Sequence, residues 1–261
     1  MIGGFELLLV ILGFASGVIS GLLGIGGAIV IVPILLYVPQ WLGVAVIEVK
    51  TASAIAVTQV VAAACTGALA HGRKGLVHRP LALAMSGTSA VGALAGGVAS
   101  AYLPGQVLLG IAAVLSSSAA LLILIPPPLE KVNGPSHPPF RLAYALPAGF
   151  AIGCLIGMIG IGSFLMVPTM IYLLGVPTRV GMATVLAVAF PTALAGFSGK
   201  LMTGQVPLIQ ALAIVLGAIP GAQIGSTLSM RAPARVLRFM YGALVLTVSF
   251  GLWYDLLHVE E

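Results

Sequence analysis

Charged side chains are scarce in this sequence. Asp, Glu, Lys and Arg make up only 7% of the 261 residues, whereas hydrophobic residues make up 60%. Because a soluble domain carries roughly 25% charged residues, this chain cannot cover a surface that faces water and must be solvated by lipid. The net charge of +5 does not indicate nucleic acid as a partner, since the 11 basic residues are spread over short loops.

Residue types that serve enzyme chemistry are also few. The sequence has 4 His and 2 Cys, and it contains neither an H-E-x-x-H nor a Ser-centred G-x-S-x-G motif. Intramembrane hydrolases and transferases need a nucleophile, a base or a metal set inside the bundle. We therefore expect no enzyme, no cofactor and no metal site. Cys65 and Cys154 both lie in apolar segments, where a small buried hydrophobe is the ordinary interpretation.

Long apolar runs are what the sequence has in abundance. A helix needs about 20 apolar residues to cross the hydrocarbon core, and barrel strands would show short alternating segments instead. The pattern predicts an all-α polytopic membrane protein with about 8–10 membrane segments. The first run has no basic residues before it, so we interpret it as a membrane helix and not as a secretory signal. The runs are 5–38, 52–70, 80–101, 106–125, 142–176, 180–198, 205–228 and 234–254.

The sequence divides into two similar halves. A Pro-rich linker at 126–141 separates residues 1–125 from residues 142–261. Each half opens with a Gly-rich phrase that ends in proline, GLLGIGGAIVIVP at 21–33 and GMIGIGSFLMVP at 157–168. A helix rich in small residues, a short polar turn and two more apolar helices follow each phrase. This predicts an internal duplication, in which a Gly/Pro-broken helix or hairpin precedes three transmembrane helices in each half.

The basic residues indicate that the two halves are inverted repeats. If each opening run enters the membrane and returns, every Lys and Arg except Lys50 and Lys200 falls on the cytoplasmic side. A parallel arrangement leaves more of them outside. The inverted arrangement predicts that both termini are periplasmic and that the linker is cytoplasmic. Lys50 and Lys200 are then expected at the outer interface, where a lysine can extend towards water.

The repeated phrase points to a ligand site. Glycine and proline disfavour a continuous helix, and in lipid the freed backbone groups need shelter from protein or a water-filled cavity. In inverted repeats, broken helices direct N–H groups and positive dipole ends at an anion near the midplane. Close helix packing is the alternative explanation of the same glycines. The candidates for two N–H cradles are Gly24, Gly26, Gly27, Ala28, Gly160, Gly162 and Ser163, and the expected helix breaks are Pro33, Pro168 and Pro191.

A few polar residues inside the apolar runs are further candidates for substrate binding. Lys50, Thr51 and Ser53 open the small-residue helix of the first half, and Thr184 is the counterpart of Ser53 in the second. Gln59 has two donors and an acceptor to satisfy, which favours the bundle interior. The Ser and Thr hydroxyls can alternatively bond back to their own helix. No acidic residue lies well inside an apolar run, so a carboxylate proton relay is not supported.

Several of these motifs resemble those of a known family. GLLGIGGAIVIVPILL and GMIGIGSFLMVPTMIYLLGVP, together with ASAIAVTQ, ATVLAVAFPTALAG and GQVPL, are similar to the signature of the TauE/SafE-type sulfite exporters. The likeness covers nearly the whole chain except the linker. It implies transport of sulfite, sulfonates or related organosulfur anions across the bacterial inner membrane. The chain departs from the family pattern at Ala28, where a third glycine is usual, and at Ser163 in the shorter second phrase.

The expected function is a secondary transporter that moves a small sulfur-containing anion by alternating access. Export is physically favourable, because each negative charge that leaves a negative cytoplasm gains about 2.3 kcal/mol per 100 mV. The expected partners are this anion, membrane lipid and a second copy of the chain in a homodimer. An anion channel and a non-transporting membrane scaffold are the alternatives. Saturable flux distinguishes a carrier from a channel, and a scaffold predicts no stabilisation by a ligand.

Overall fold

The fold is described from a computed structural model. It describes residues 3–23, 28–71, 77–124, 142–229 and 234–258. Within these ranges the regular structure is helical throughout, which confirms the all-α class predicted from the apolar runs. The Pro-rich linker lies outside the described residues, so the proposed division into two halves stays a prediction.

Ten α-helices follow one another along the described chain, and one of them continues directly into a π-helical turn at Thr169–Leu173. They are α1 (Gly4–Leu23), α2 (Ala28–Trp41), α3 (Val49–His71), α4 (Arg79–Tyr102), α5 (Gly105–Leu124), α6 (Leu142–Ile159), α7 (Ser163–Pro168), α8 (Thr178–Met202), α9 (Leu208–Ser229) and α10 (Ala234–His258).

In the described part of the chain, four helices are long and apolar enough to cross a membrane. Shorter apolar stretches lie in α2, α3 and α5. Large apolar side chains are also exposed on the outside of the bundle, including Leu83 and Phe250, each 76% exposed. Such surfaces are stable in lipid, so the chain is a multi-pass membrane protein. The four spans are Gly4–Leu22, Arg79–Tyr102, Leu142–Ile159 and Leu208–Gly225.

The second of the two longest apolar runs is divided between helices at its glycines, whereas the glycines 24–27 of the first run lie outside the described residues. In the first run, α1 ends at Leu23 and α2 begins at Ala28. In the second, α6 ends at Ile159 and α7 begins at Ser163. Gly160 has a φ of +87°, a left-handed conformation that side chains disfavour, so the turn out of α6 requires a glycine.

The three prolines expected to break helices differ in what they do. α7 ends at Pro168, and the chain continues from there as the π-helical turn. Pro33 and Pro191 lie inside α2 and α8, and both helices continue across them. This corrects the expectation of a break at these two residues. A proline removes one backbone hydrogen bond, and neighbouring helices can shelter the freed carbonyl within a continuous helix.

Glycines bring α1 and α9 into close contact. A Cβ built at Gly13 would overlap the backbone of Ile214, and one built at Gly17 would overlap that of Ala218. Residue numbers increase together along this contact, so the two helices run in the same direction. Small residues allow such close backbone approach, which is how helices associate in lipid.

The contact between α4 and α6 has the same character. A Cβ at Gly153 would overlap the backbone of Ser89, and one at Gly157 would overlap that of Ala93. These two helices are therefore also parallel to each other.

The direction of α8 relative to α3 and α4 follows from hydrogen bonds at both of its ends. Near the end of α8, Lys200 binds Ser53 at the start of α3 at 3.1 Å. Near its beginning, Thr184 accepts a hydrogen bond from the backbone N–H of His78, which follows α3, at 3.1 Å. α3 and α8 are therefore antiparallel. α4 begins at Arg79, next to the start of α8, and its Ser89 hydroxyl lies 2.6 Å from that of Thr192 in the middle of α8. α4 and α8 are therefore parallel.

Candidate functional site

Lys200 is fully buried in the last turn of α8, with 0% of its surface exposed. The sequence predicted that this lysine extends towards water at the outer interface, and the expected contact with water was wrong. The physical reason is the close approach of α4 to α8 next to it. A Cβ at Gly97 would lie 2.6 Å from the carbonyl oxygen of Gly196, and one at Gly199 would lie 2.6 Å from that of Leu94. Helices this close hold the lysine side chain inside the bundle.

The Lys200 ammonium donates hydrogen bonds to three neutral acceptors. Its Nζ lies 3.1 Å from the Ser53 hydroxyl of α3, 2.9 Å from the Ser100 hydroxyl of α4 and 3.4 Å from Oε1 of Gln205. Gln205 lies in the segment between α8 and α9. The Lys200 cluster, as we name these four residues, therefore joins the predicted first half of the chain to the second.

The acceptors of the cluster are themselves held in place. The Ser53 hydroxyl donates to the carbonyl of Lys50 at 2.7 Å. Gln205 donates from Nε2 to the carbonyl of Gly97 at 2.9 Å and to the Thr203 hydroxyl at 2.6 Å, which fixes which side of its amide faces the lysine. The Ser100 hydroxyl donates to the same Gly97 carbonyl at 2.7 Å. A network with this many internal contacts is rigid and preorganised.

A second lysine lies beside the cluster. Lys50 is half-buried in the first turn of α3, and its Nζ donates to the carbonyl of Ala101 at the end of α4 at 2.9 Å. The positive charge of Lys50 opposes that of Lys200, because like charges destabilise each other at short range. Within the described residues, no carboxylate contacts either lysine.

This arrangement is a candidate anion site by its chemistry. Removing an ammonium from water costs several kcal/mol unless a counter-charge restores that energy. Serine hydroxyls and an amide satisfy the hydrogen-bond donors of Lys200 but supply no negative charge. A small anion that reached the cluster would supply it. An ionisable residue inside a membrane bundle is a functional candidate for this reason.

Four predicted site residues fall into two groups. Ser53 belongs to the Lys200 cluster, and Lys50 and Thr51 lie half-buried in the same first turn of α3. Thr184 is fully buried at the opposite end of the α3–α8 pair, where it donates to the carbonyl of Val180 at 2.7 Å and accepts from His78. The structure thus brings Lys50 and Ser53 together and leaves Thr184 at the other end of α8.

Gln59 faces the interior, as its need for partners predicted. Its Nε2 donates to the Ser16 hydroxyl of α1 at 3.1 Å, and only 1% of the residue is exposed. Its Oε1 is buried with no hydrogen-bond partner among the described residues, and the side chain lines a small cavity between α1, α3 and α9. The cavity measures about 10 Å³, which is room for a single water molecule. Gln59 is not part of the Lys200 cluster.

The second Gly-rich phrase is packed against protein. Gly160 and Gly162 are buried. A Cβ at Gly160 would lie 3.3 Å from the backbone nitrogen of Val57 in α3, and one at Gly162 would lie 2.9 Å from Cγ1 of Ile156. The space that a side chain would take is therefore filled by neighbouring atoms, which fits the packing explanation of these glycines. The Ser163 side chain, the Ala28 side chain and the glycines Gly24, Gly26 and Gly27 lie outside what the structure describes.

Sequence reasoning missed three members of the cluster, Ser100, Lys200 and Gln205. One signal for Lys200 was present. In the inverted arrangement, Lys50 and Lys200 were the two basic residues that the positive-inside rule did not place in the cytoplasm. These are the two lysines that the structure brings together. Gln205 lies in GQVPL, one of the stretches that resemble the family signature, but the sequence did not mark it as a site residue, and no signal marked Ser100.

The fold and the site together define a class of protein, a helical multi-pass membrane protein with a buried cationic centre. The family described as Sulfite exporter TauE/SafE matches the chain over residues 9–252. The chain belongs to this family of membrane transporters, and the resemblance noted in the sequence is confirmed.

Two relatives from Bacillus subtilis (strain 168) are similar over nearly their whole length. The probable membrane transporter protein YdhB is 27% identical over 241 residues, which cover 89% of this chain and 94% of the relative. The probable membrane transporter protein YunE is 26% identical over 267 residues, which cover 95% of this chain and 97% of the relative. No solved structure matches the chain.

Proposed function

We propose that this protein is a secondary transporter for a small sulfur-containing anion, such as sulfite or a sulfonate, in the bacterial inner membrane. The observation that carries the proposal is the buried ammonium of Lys200, which has neutral partners and no contact with a carboxylate among the described residues. A sulfur oxyanion has the negative charge that this site lacks. It also has several oxygen acceptors for the lysine and serine donors.

The substrate class is supported by the family. The family is described as one of sulfite exporters. The two lysines near one end of the α3–α8 pair suit an anion of this kind, because their charges add at the place where the anion would bind. We propose export as the direction, since the membrane potential favours the exit of negative charge.

Alternating access between two inverted halves is the transport mode that we propose. α1 packs along α9, and α6 packs along α4. In the proposed repeats α1 corresponds to α6 and α4 corresponds to α9, so the two contacts are equivalent. α3 and α8, also equivalent positions, lie antiparallel, as an inverted relation requires. Movement of one half against the other can then open the bundle at one end while it closes at the other.

The two ends of the α3–α8 pair supply contacts that such a movement would break. The Lys200 cluster closes one end through Ser53, and the contact between His78 and Thr184 closes the other. In the proposed orientation the Lys200 cluster is on the periplasmic side, both termini are periplasmic and the linker is cytoplasmic. Assembly into a homodimer stays a prediction.

Ligand stabilisation of the purified protein tests the proposal. The anions are sulfite, sulfate, thiosulfate, sulfoacetate, taurine, acetate and chloride. A ligand present at a hundredfold excess over its dissociation constant adds about 2.7 kcal/mol to stability. We expect a sulfur-containing anion to raise the unfolding midpoint of the wild type and Lys200→Met to abolish this response. Thr247→Val is the matched control, since Thr247 is exposed on α10 and, among the described residues, its hydroxyl bonds only to the carbonyl of Ala243.

Flux into proteoliposomes completes this test. The anion that stabilises the wild type should cross the membrane with a rate that saturates with concentration, as expected for a carrier. A rate that rises without saturation would indicate a channel instead. If no anion stabilises the monodisperse wild type, or if Lys200→Met responds as well as the wild type, the proposed function is wrong.

A further inference from the structure

We propose that Lys200 also carries a proton, so that each anion crosses the membrane together with one H⁺. This inference rests on the proposed function, because it concerns the same site. In the empty site Lys200 gives up its proton readily, because no negative charge stabilises the ammonium. A bound anion stabilises the ammonium, and departure of the anion returns the proton to water. The proton is thus the coupling ion, in a chain whose apolar runs contain no carboxylate suited to that role.

The first step of the argument is the cost of the charge in the empty site. Lys200 is fully buried, and its three acceptors are neutral. Burial without a counter-charge disfavours the protonated form of an amine. The charged group that faces the cluster is Lys50 on α3, and it disfavours the ammonium further. Ser100 on α4 and Gln205 after α8, which contact the lysine directly, do not titrate.

The second step is that the cluster can satisfy both protonation states of the lysine. An ammonium can donate to the Ser53 and Ser100 hydroxyls, whose oxygens lie 3.1 and 2.9 Å from Nζ. A neutral amine has a lone pair that accepts a hydrogen bond, and a serine hydroxyl can rotate to donate to it. Oε1 of Gln205 accepts from nitrogen in either state. Loss of the proton therefore leaves no buried polar group without a partner.

The third step is that the anion reverses the balance. A negative charge within about 4–6 Å of the nitrogen favours the charged form of the lysine. Anion binding and proton binding then stabilise each other, and this linkage is reciprocal. On the loading side one N–H bond forms with a proton from water, and on the release side the same bond breaks. No other covalent bond changes, and no electron is transferred.

The coupling determines how much charge crosses in each cycle. The net charge moved is the charge of the anion reduced by that of one proton. A monoanion then crosses without net charge and does not respond to the membrane potential. A dianion moves one negative charge outwards and still gains from a negative cytoplasm.

Lys200→Arg is the variant that separates the two roles of this side chain. Arginine keeps the positive charge but does not lose its proton in a protein. We expect Lys200→Arg to bind the anion with an affinity that does not change between about pH 6 and pH 9. The wild-type affinity should fall about tenfold per pH unit once the empty site is neutral. The anion is whichever member of the panel stabilises the wild type. If that anion itself gains or loses a proton in this pH range, the effect on affinity is the same for both proteins and cancels when they are compared.

Proton movement gives a second readout, which needs no variant. Calorimetric titration of the wild type with thiosulfate or sulfoacetate, in two buffers with different heats of ionisation, reports the protons taken up on binding. We expect uptake approaching one proton per anion at alkaline pH. In proteoliposomes, acidification of the compartment that receives the anion should accompany flux through the wild type, and Lys200→Arg should lose net flux while it still binds.

The outcomes distinguish failure of this inference from failure of the proposed function. If the anion binds and crosses with no proton uptake, and the affinity is independent of pH, the proton role is wrong and the transporter assignment stands. Equal net flux through Lys200→Arg and the wild type leads to the same conclusion. If no anion of the panel binds at any pH, both the proposed transporter function and the proton role of Lys200 are wrong.

Discussion

At the scale of single residues, the polar side chains of the bundle interior obtain their partners from other helices. Lys200 has acceptors on α3, on α4 and in the segment after α8, and Gln59 of α3 finds Ser16 on α1. A buried polar group that loses its partner costs more than the net value of the hydrogen bond. The energetic role of a serine in this bundle therefore depends on whether it faces another helix or bonds only to its own.

Replacement of Ser100 by alanine tests this statement. Ser100 is fully buried and accepts from the Lys200 ammonium at 2.9 Å. A hydrogen bond to a charged group contributes about 1.5–3 kcal/mol, so we expect Ser100→Ala to lower the free energy of unfolding by that amount and to weaken anion binding. The measurement is thermal unfolding in detergent with and without the anion.

The control for Ser100→Ala is Ser118→Ala on α5. The Ser118 hydroxyl is exposed and donates only to the carbonyl of Val114 in its own helix, at 2.8 Å. We expect this change to alter stability by less than about 0.5 kcal/mol. Equal losses in the two variants would contradict the importance that we assign to the contact with Lys200.

At the scale of secondary-structure elements, glycine positions determine how closely the helices pack. α1 with α9, and α4 with α6, are pairs in which a Cβ on one helix would overlap the backbone of the other. Because lipid is as apolar as the side chains, the hydrophobic effect does not drive these contacts, and close van der Waals packing replaces it. A glycine at such a contact is thus required, whereas a glycine elsewhere on the same helix is replaceable.

α4 offers both kinds of glycine for a matched comparison. A Cβ at Gly92 would overlap the carbonyl oxygen of Phe150 on α6, whereas one at Gly87 meets nothing within 4 Å. We expect Gly92→Ala to destabilise the protein by about 1–3 kcal/mol or more, since backbone atoms cannot yield cheaply. Gly87→Ala should be neutral or stabilise by up to about 1 kcal/mol through helix propensity. Thermal unfolding measures the stability of both variants. A greater loss of stability in Gly87→Ala than in Gly92→Ala would be inconsistent with the α4–α6 contact.

At the scale of the whole molecule, the arrangement of α3 and α8 places the two lysines at one end of the bundle. Lys50 begins α3 and Lys200 ends α8, and the antiparallel packing of these helices brings them to the same level. In the proposed orientation this end is periplasmic, and the basic loops and the linker face the cytoplasm. The orientation follows from the distribution of basic residues and concerns the molecule as a unit.

Cysteine labelling in intact cells measures that orientation. Leu42, between α2 and α3, is 58% exposed and is predicted to be periplasmic, and Glu130 lies in the predicted cytoplasmic linker. With Cys65 and Cys154 replaced by alanine, a membrane-impermeant maleimide should label Leu42→Cys directly. Glu130→Cys should react only after the membrane is permeabilised. The reverse pattern would overturn the orientation and with it the periplasmic location of the Lys200 cluster.

Much of the fold could be predicted from local sequence patterns. The helical class, the division of the second long run at its glycines and the interior position of Gln59 each depend on properties of a short segment, namely its hydropathy, its backbone freedom or its unsatisfied donors. The prolines predicted the helix boundaries less well. Pro33 and Pro191 read locally as breaks, but a helix in a bundle can continue across a proline when its neighbours shelter the freed carbonyl.

The sequence by itself determined that this is a helical membrane protein of the TauE/SafE family, because lipid solvation and helix formation are encoded within single segments. Only the tertiary structure decided that Lys200 is buried, since that depends on how closely α4 and α8 approach and on what α3 places opposite. The candidate site moved accordingly, from the glycines of the repeated phrase to a lysine whose partners Ser53 and Ser100 lie about a hundred residues or more away along the chain. Such a cluster has no local signature, because its chemistry exists only once helices from distant parts of the sequence have packed together.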